Sequence, residues 1–412
     1  MEKDFFRVIS PADFTKLLQL FVAVGSECVS LWDAHERILA QDVVANEDLP
    51  SLTRSCMDGY AVRAADTFGA SEANPGYLEL HSSVAIDEVV SITLPAGECM
   101  GIATGGTLPP GADAVLMVEY TQLLGSTVEL RKTVVPGENV MLQGEDATQW
   151  ATVLKAGRRL RAQEVGLMAA LGQTELLVHK RPRCGIISTG DELVPVESQP
   201  KPGQIRDVNT HTLACLIRQA GGLPTAYGLC ADRLETLVET LRTSLAQDDM
   251  VLISGGSSIG TRDLTIQALE SFPDCQILAH GVSISPGKPT ILARIGDKPV
   301  LGLPGQVVSA QIIMLVFGQP LLLSLSGDPH AFDPSRRVVR PARLAANVSS
   351  KPGREDYVRV RLETRDGELW AVPRTGKSGL LRTMLEADAL MCVDAALEGV
   401  LQGTEISVWM PA

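Results

Sequence analysis

Aromatic side chains are scarce in this 412-residue chain: 4 Trp, 5 Tyr and 8 Phe make up 4% of it. Positive charge is short too, with 36 Lys plus Arg against 49 Asp plus Glu and a formal net charge of −13. Tracking a nucleic-acid backbone needs clustered cations and rings for stacking, so no nucleic-acid partner is expected. The eight cysteines (Cys28, Cys56, Cys99, Cys184, Cys215, Cys230, Cys275, Cys392) include no Cys-x-x-Cys pair. The six histidines show no His-x-x-x-His or His-Glu-x-x-His spacing, which argues against a zinc site. Scattered thiols in a chain of this length read as buried and reduced. The N-terminus, Met1-Glu2-Lys3-Asp4, lacks a signal-peptide pattern. The most apolar run, residues 312–325, is interrupted by Gly318 and Pro320 and is too short to cross a bilayer. No membrane span and a cytoplasmic location are the expectations.

What is present is the composition of an ordinary globular protein, 45% apolar and 21% charged. At about 150 residues per domain, the length implies two to four domains. Ser10-Pro11 reads as an N-cap with proline at the first helical position, and Leu17, Leu18 and Phe21 share a face. A second helical pattern covers residues 33–39. Residues 56–140 switch to short β runs punctuated by Gly and Pro. Helix returns over 160–172, closed by Gly172, so the β region reads as an insert between two helical pieces. From 181 to about 330, apolar strands alternate with amphipathic helices, the pattern of a mostly parallel sheet covered on both faces. Asp232 reads as a helix cap with Glu235 three residues on. Beyond residue 337, β patterns around an Asp366-Gly367 hairpin suggest a small barrel or sandwich.

Ligands of open α/β sheets sit beyond the carboxyl ends of the strands. Two loops there are rich in small residues, Ser188-Thr189-Gly190-Asp191-Glu192 and the run from Ser254 through Gly255, Gly256, Ser257 and Ser258 to Asp263. Small residues let backbone N–H groups approach an anion, and a following helix N-terminus adds a favourable dipole. Taken alone, either loop only turns the chain, with Asp263 capping its helix. Two on neighbouring strand ends favour ligand binding. Neither is a GxGxxG fingerprint or a P-loop, which counts against dinucleotide or ATPase function. Further Gly/Pro loops are Ser285-Pro286-Gly287-Lys288-Pro289, Gly302-Leu303-Pro304-Gly305 and Thr104-Gly105-Gly106-Thr107-Leu108-Pro109. Lys288 is a candidate phosphate contact or a solvated turn residue. Asp58, Asp146, Glu192, Asp232 and Asp263 all open loops or helices, and carboxylates beside an anion cradle call for a hard cation such as Mg²⁺. No Ser-His-Asp or Cys-His grouping is visible. The residues themselves lead to a Mg²⁺-assisted site for a phosphorylated small molecule.

The same segments closely resemble the molybdopterin molybdenumtransferase family, of the MoeA and gephyrin E-domain type. They are Ser55-Cys56-Met57-Asp58-Gly59-Tyr60, Thr104-Gly105-Gly106, Gly144-Glu145-Asp146, Ser188-Thr189-Gly190-Asp191-Glu192, Gly203-Gln204-Ile205-Arg206-Asp207-Val208-Asn209, the 254–263 loop, Pro286-Gly287-Lys288-Pro289 and Gly302-Leu303-Pro304-Gly305. The resemblance spans essentially the whole chain. It implies an α/β plus β multidomain fold: a discontinuous helical domain (1–50 and 147–180), an inserted β domain (51–146), a molybdopterin-binding α/β domain (181–330) and a C-terminal β domain (331–412). It also implies an elongated homodimer with sites shared between subunits. The implied reaction inserts molybdate into adenylylated molybdopterin, hydrolysing the phosphoanhydride with Mg²⁺ and releasing AMP. Partners of that chemistry are a molybdopterin adenylyltransferase and molybdoenzyme chaperones.

By resemblance Asp58, Asp146, Glu192 and Asp263 are the catalytic acids, and Asp232, Asp263 and Glu192 the metal ligands. Thr104, Gly105, Thr189, Gly190, Asp191, Gly255, Gly256, Ser257, Ser258, Pro286, Gly287, Lys288, Pro304, Arg354 and Ser378 line the substrate site. The chain departs from the family where arginines commonly precede Gly-Glu-Asp, having Met141, Leu142 and Gln143, and where lysines commonly stand, having Gly281 and Ser285. Val307 replaces a proline, while Arg262, Lys288 and Arg354 remain as cations on these motifs. Two alternatives stay open: a tungstate-preferring paralogue, and a non-catalytic molybdopterin-binding scaffold.

Overall fold

A computed structural model describes residues 8–255 and 259–411, with the backbone alone for 259–263. Helix α1 (Pro11–Leu18) begins as its sequence dictates, the Asp13 N–H donating to the Ser10 hydroxyl at 3.0 Å. Its apolar face does not join the segment that follows. Phe14 and Leu18 sit in the core of the α/β unit, with the Phe14 ring 4.6 Å from that of Phe317.

The next unit joins two stretches far apart in sequence. Strand Ser26–Ser30 pairs antiparallel with Glu175–His179, and Val43–Val44 with Thr152–Leu154. Helix α2 (Ala162–Ala170) covers them, and Leu39, Leu160, Met168, Leu171 and Val178 form the core. The helix expected over 33–39 is absent. A single 3₁₀ turn at Leu31–Asp33 gives way to Glu36 at φ 63°, and Ile38 and Leu39 bridge to Arg159 and Val178. A side chain in the left-handed region ends any right-handed helix, and the bridges capture the residues beyond it. The insert forms a six-stranded sheet over residues 59–132, with Val62, Leu78, Leu116, Val128 and Leu130 at its core.

The α/β unit carries a six-stranded sheet in the order Leu223–Cys230, Arg183–Thr189, Met250–Gly255, Lys298–Pro304, Ile291–Ile295, Cys275–His280. The first four strands are parallel and the last two antiparallel. Alternation along each strand decides the two faces. Ile186, Leu252 and Leu301 point to one core, which also takes α1 and helix α3 (Asn209–Gln219). Ile187, Val251, Ile253 and Val300 point to the other, under helices α4 (Leu234–Gln247) and α5 (Ile259–Glu270).

Gly318 and Pro320 do not break the apolar run as expected. Helix α6 (Val307–Ile313) passes through a π turn at Met314–Gly318 into helix α7 (Gln319–Leu325). Proline has no N–H to give and crowds the carbonyl four residues back, and the wider turn takes up the misfit. The continuous 19-residue helix is long and apolar enough for a bilayer (mean hydropathy 1.8), yet 72% of that window is buried inside the protein. It is a core helix.

The C-terminal sheet closes on itself. Strand Glu355–Arg365 pairs with Glu368–Pro373 across a hairpin at Asp366 (φ 49°) and Gly367 (φ 81°), and also with Ala389–Val393. Ile284–Ser285, from the α/β unit, adds to the same strand through Glu355 and Asp356, so the two units share a sheet. Helix α8 (Arg382–Leu385) lies after the second hairpin strand. The cysteines only partly meet expectation: all eight are free, but Cys28, Cys56, Cys215 and Cys392 are exposed. A small thiol costs little to leave in water, whereas burial pushes the Cys99 thiol up to about 12.

Candidate functional site

Four parallel strands end together. Thr189 pairs with Cys230 on one side and Gly255 on the other, and Gly255 pairs with Pro304. The chain leaves Arg183–Thr189 through α3 to one neighbour, then crosses back through α4 to the opposite one. The order of connection reverses at this strand, which opens a crevice between the Thr189 and Gly255 ends. A Cβ on Gly255 would lie 1.8 Å from the Thr189 hydroxyl, so only glycine fits here. Gly190 (φ 150°) carries the Glu192 carboxylate over its α-carbon, 2.7 Å from where a Cβ would stand.

A buried polar layer lies beneath these loops. Asn209, the first residue of α3 and 8% exposed, donates from Nδ2 to Ser254 Oγ at 2.7 Å and to the Gly305 carbonyl at 2.9 Å. Asp207 accepts from the Thr210 N–H at 3.1 Å and from Ser188 Oγ at 3.3 Å. Four of the loop-bearing segments are thus tied by side chains that the sequence reading left without a role. The available signal was Asp207 and Asn209 at a helix start, polar residues of the kind that bond nearby backbone.

The acids separate into two groups. Asp191 accepts the Asp232 N–H at 3.2 Å, and Asp232 is held above the usual carboxylate range, first by burial and then by the charges of Asp191 and Glu192. Asp232 is not the α4 cap expected. Arg233 occupies that position without a side-chain cap bond, which leaves the Asp232 carboxylate beside the other two acids. Among the described residues no three His, Cys, Asp or Glu side chains close into a metal cluster. The donor set itself, carboxylate oxygens in mutual repulsion, fits a hard cation such as Mg²⁺. Gly256, Ser257, Ser258 and the side chains of Arg262 and Asp263 lie outside the described residues.

Asp58 stands in the inserted domain, exposed, accepting the Thr104 N–H at 2.7 Å and its hydroxyl at 2.9 Å. These bonds, the backbone one first, hold its carboxyl below the usual range. Gly105 donates its N–H to the Ser55 carbonyl, locking the Thr104 loop to the Asp58 segment. Asp146 is exposed near Leu49, whose carbonyl takes its N–H at 2.9 Å. Among the described residues no hydrogen bond or ion pair connects residues 51–146 to the strand-end crevice. Pro286, Gly287 and Lys288 lie after the shared strand, with Lys288 exposed and a Cβ on Gly287 only 2.5 Å from Ile313 Cδ1. Arg354 reaches Asp356 at 3.1 Å. The Ser378 carbonyl accepts the Val308 N–H at 3.0 Å, which brings the C-terminal domain to the first turn of α6, just past Pro304. A cavity of about 690 Å³ between α1, α7 and Trp409 lies away from all of these residues.

Three family models match in succession: "MoeA N-terminal region (domain I and II)" over residues 9–172, "Probable molybdopterin binding domain" over 185–324, and "MoeA C-terminal region (domain IV)" over 341–410. The chain belongs to the MoeA family. A molybdopterin molybdenumtransferase of Nostoc is 33% identical over 389 residues, covering 93% of this MoeA chain and 88% of its own. Molybdopterin molybdenumtransferase 2 of Mycobacterium tuberculosis is 33% identical over 92% of this chain and 94% of its own. A crystal structure of a MoeA protein from Pyrococcus horikoshii superposes with a TM-score of 0.83 at 30% identity, over 98% of this chain and all of the other. The multidomain α/β architecture with its closed C-terminal sheet is therefore that of MoeA proteins.

Proposed function

We propose that this MoeA chain inserts molybdate into adenylylated molybdopterin, with hydrolysis of the phosphoanhydride and release of AMP. Family membership makes the chain a transferase of molybdenum cofactor biosynthesis. The proposed reaction is supported by the alignment of Thr189, Gly255 and Pro304 at the point where strand order reverses, with Asp191, Glu192 and Asp232 beside it. Glycines at 190 and 255 let the Thr189 and Glu192 side chains close over the strand ends, which sets the small-residue loops where a pterin phosphate would bind. Glu192, Asp232 and Asp263 would hold Mg²⁺, which when bound neutralises charge on the phosphoanhydride oxygens. Water adds to the AMP phosphorus, the P–O bond to the molybdopterin phosphate breaks, and a carboxylate takes the water's proton. Asp58, exposed and held by Thr104, suits orienting that water as a hydrogen-bond acceptor, together with Asp146. Both are separate from the crevice within one chain, so the reading includes a homodimer in which the second subunit supplies them.

The test is a single-turnover assay of purified protein with adenylylated molybdopterin, molybdate and Mg²⁺, reading AMP by chromatography. AMP release that requires molybdate or Mg²⁺ and vanishes with Glu192→Gln is the expected result. Retention of intact adenylylated molybdopterin over many hours would rule the reading out.

A further inference from the structure

Lys155, Arg158, Arg159 and Arg161 put four cations and no acid into seven residues, and no other stretch of that length in the chain carries four. In a chain of net charge −13, this run opposes the overall field. Neither the strand-end crevice nor the Asp58 loop uses it. The run ends at the residue that opens α2 and faces the segment leading from α7 to the C-terminal sheet. The two stretches meet where Pro329 packs on Gly157, since a Cβ on that glycine would stand 2.9 Å from Pro329 Cδ. Arg159 reaches Asp328 across the same seam at 3.5 Å. Between them lies a cavity of about 370 Å³, lined by the four cations on one side and by Asp328, His330 and Arg336 on the other.

Each cation of the run already has a carboxylate. Lys155 pairs with Asp42 at 2.7 Å, Arg159 with Glu36 at 3.0 Å, and Arg158 and Arg161 share Glu164. None of these three acids lines the cavity, whose wall carries a single acid, Asp328. Arg336 is exposed and has no ion pair among the described residues. Five cations therefore border the cavity against one carboxylate on its wall. The side chains of Lys155, Arg158 and Arg161 are at least half exposed, and ion pairs open to water are worth little. A bound anion can share these cations at small cost. A lone phosphate meets few of five cations drawn from two segments, whereas linked phosphates reach more of them, and guanidinium forks match their paired oxygens. Among the described residues the wall holds no Trp, Tyr or Phe, so it offers no platform for a nucleobase.

We propose that this cavity binds an oligophosphate, with Arg159 and Arg336 gripping it from the two sides and Lys155, Arg158 and Arg161 along one wall. The ligand is recognised by its phosphates alone, whether free or as the tail of a nucleotide. It bridges the unit of α2 to the segment entering the C-terminal sheet, across the seam made by Gly157 with Pro329 and Arg159 with Asp328. The site shares no residue with the crevice and does not depend on the reaction proposed there.

Calorimetric titration of the full chain with inorganic tripolyphosphate, free of divalent cations, tests it, with sulfate and ATP in parallel at one ionic strength. Tripolyphosphate should bind one per chain, at least about tenfold tighter than sulfate, and should raise the thermal midpoint. Arg336→Gln should weaken that binding by about tenfold, the scale of a charge-assisted contact. Its ligand-free midpoint should match the wild type, because the side chain is exposed. Arg242→Gln, on α4, and Lys288→Gln, on the crevice motifs, should bind within about twofold of wild type. ATP binding within about tenfold of tripolyphosphate assigns the ligand as a nucleotide tail, and weaker ATP binding assigns it as free oligophosphate. The proposal is overturned if tripolyphosphate does not bind, if sulfate binds as tightly, or if Arg336→Gln binds like the wild type. Loss of binding in Lys288→Gln but not in Arg336→Gln would move the anion to the crevice and overturn it too. Should Arg336→Gln fail to fold, Lys155→Gln decides, with a loss of about threefold or more expected and wild-type binding counting against the proposal.

Discussion

The strand-end crevice and the Asp58–Thr104 loop use the same side chain in opposite ways. At the crevice, Asp232 shares its surroundings with Asp191 and Glu192 and is pushed up by burial and like charge. In the inserted domain, the exposed Asp58 carboxylate accepts two bonds from Thr104, and these pull it down. The first arrangement is unfavourable until a cation arrives, and the second is content as it stands. A polar bed of Asn209, Asp207, Ser188 and Thr210 stiffens the crevice, whereas Asp58 is held from one side by the Thr104–Gly105 loop. On the proposed function, one region is completed by a ligand and the other presents a ready carboxylate. That division of labour can be broken experimentally.

The largest effect should come from Gly255→Ala. The added methyl meets Thr189 at 1.8 Å, so we expect at least a hundredfold loss of AMP release and about 1–3 kcal/mol of stability by denaturant titration. A variant with wild-type rate would show that the crevice is not the site. Asp58→Ala should reduce turnover by about a hundredfold, the scale of a mispositioned reacting water, with only a small loss of thermal midpoint from the two Thr104 bonds at this exposed site. A drop in midpoint of several degrees would turn Asp58 into a structural residue.

Mixing the two inactive variants sharpens the comparison further. If the loop of one subunit serves the crevice of the other, subunit exchange creates one intact site in each mixed dimer and restores roughly a quarter of wild-type activity. Absence of any recovery, once exchange is shown by native mass spectrometry, would place both regions in a single subunit's site or separate their roles altogether.

Smaller effects follow from the charges. Added Mg²⁺ should raise the thermal midpoint of the wild type by binding the native state, and Asp232→Asn should remove most of that shift. The raised pKa of Asp232 means that it favours the fold while protonated and opposes it as pH rises through the folded value, so the Mg²⁺ benefit should grow from about pH 4 upward. Asp58 has the opposite sign: its bonds to Thr104 help the fold above the unfolded pKa and are lost as pH falls through the lower folded value. A Mg²⁺ shift that shrinks with rising pH would contradict the crevice assignment.

Much of the fold was legible because its signals are local. The Ser10 cap, the Gly172 stop, the Asp366-Gly367 hairpin and the strand–helix alternation of 183–304 all depend on neighbours in sequence. The misreadings share a cause. Residues 33–39 carry helical spacing, yet strand bridges to positions more than a hundred residues away decide their form. Asp232 has a cap-like neighbourhood, but the helix starts two residues later and the acid is drawn into company with Asp191. Pro320 should stop a helix, but a core that buries most of the run sustains it through a π turn.

The amino-acid sequence by itself determined which residues could do chemistry: small residues and acids at the ends of apolar strands, and too few cations in the motifs that carry them. Backbone preferences and side-chain type are local properties, and they survive being read one segment at a time. Only the tertiary structure decided which of these segments meet. Register sets Thr189 beside Gly255 and Gly255 beside Pro304, and crossover order makes that row a crevice. Burial likewise sets apart two arginines, Arg37, paired with Glu27, and Arg359, which has no ion pair among the described residues.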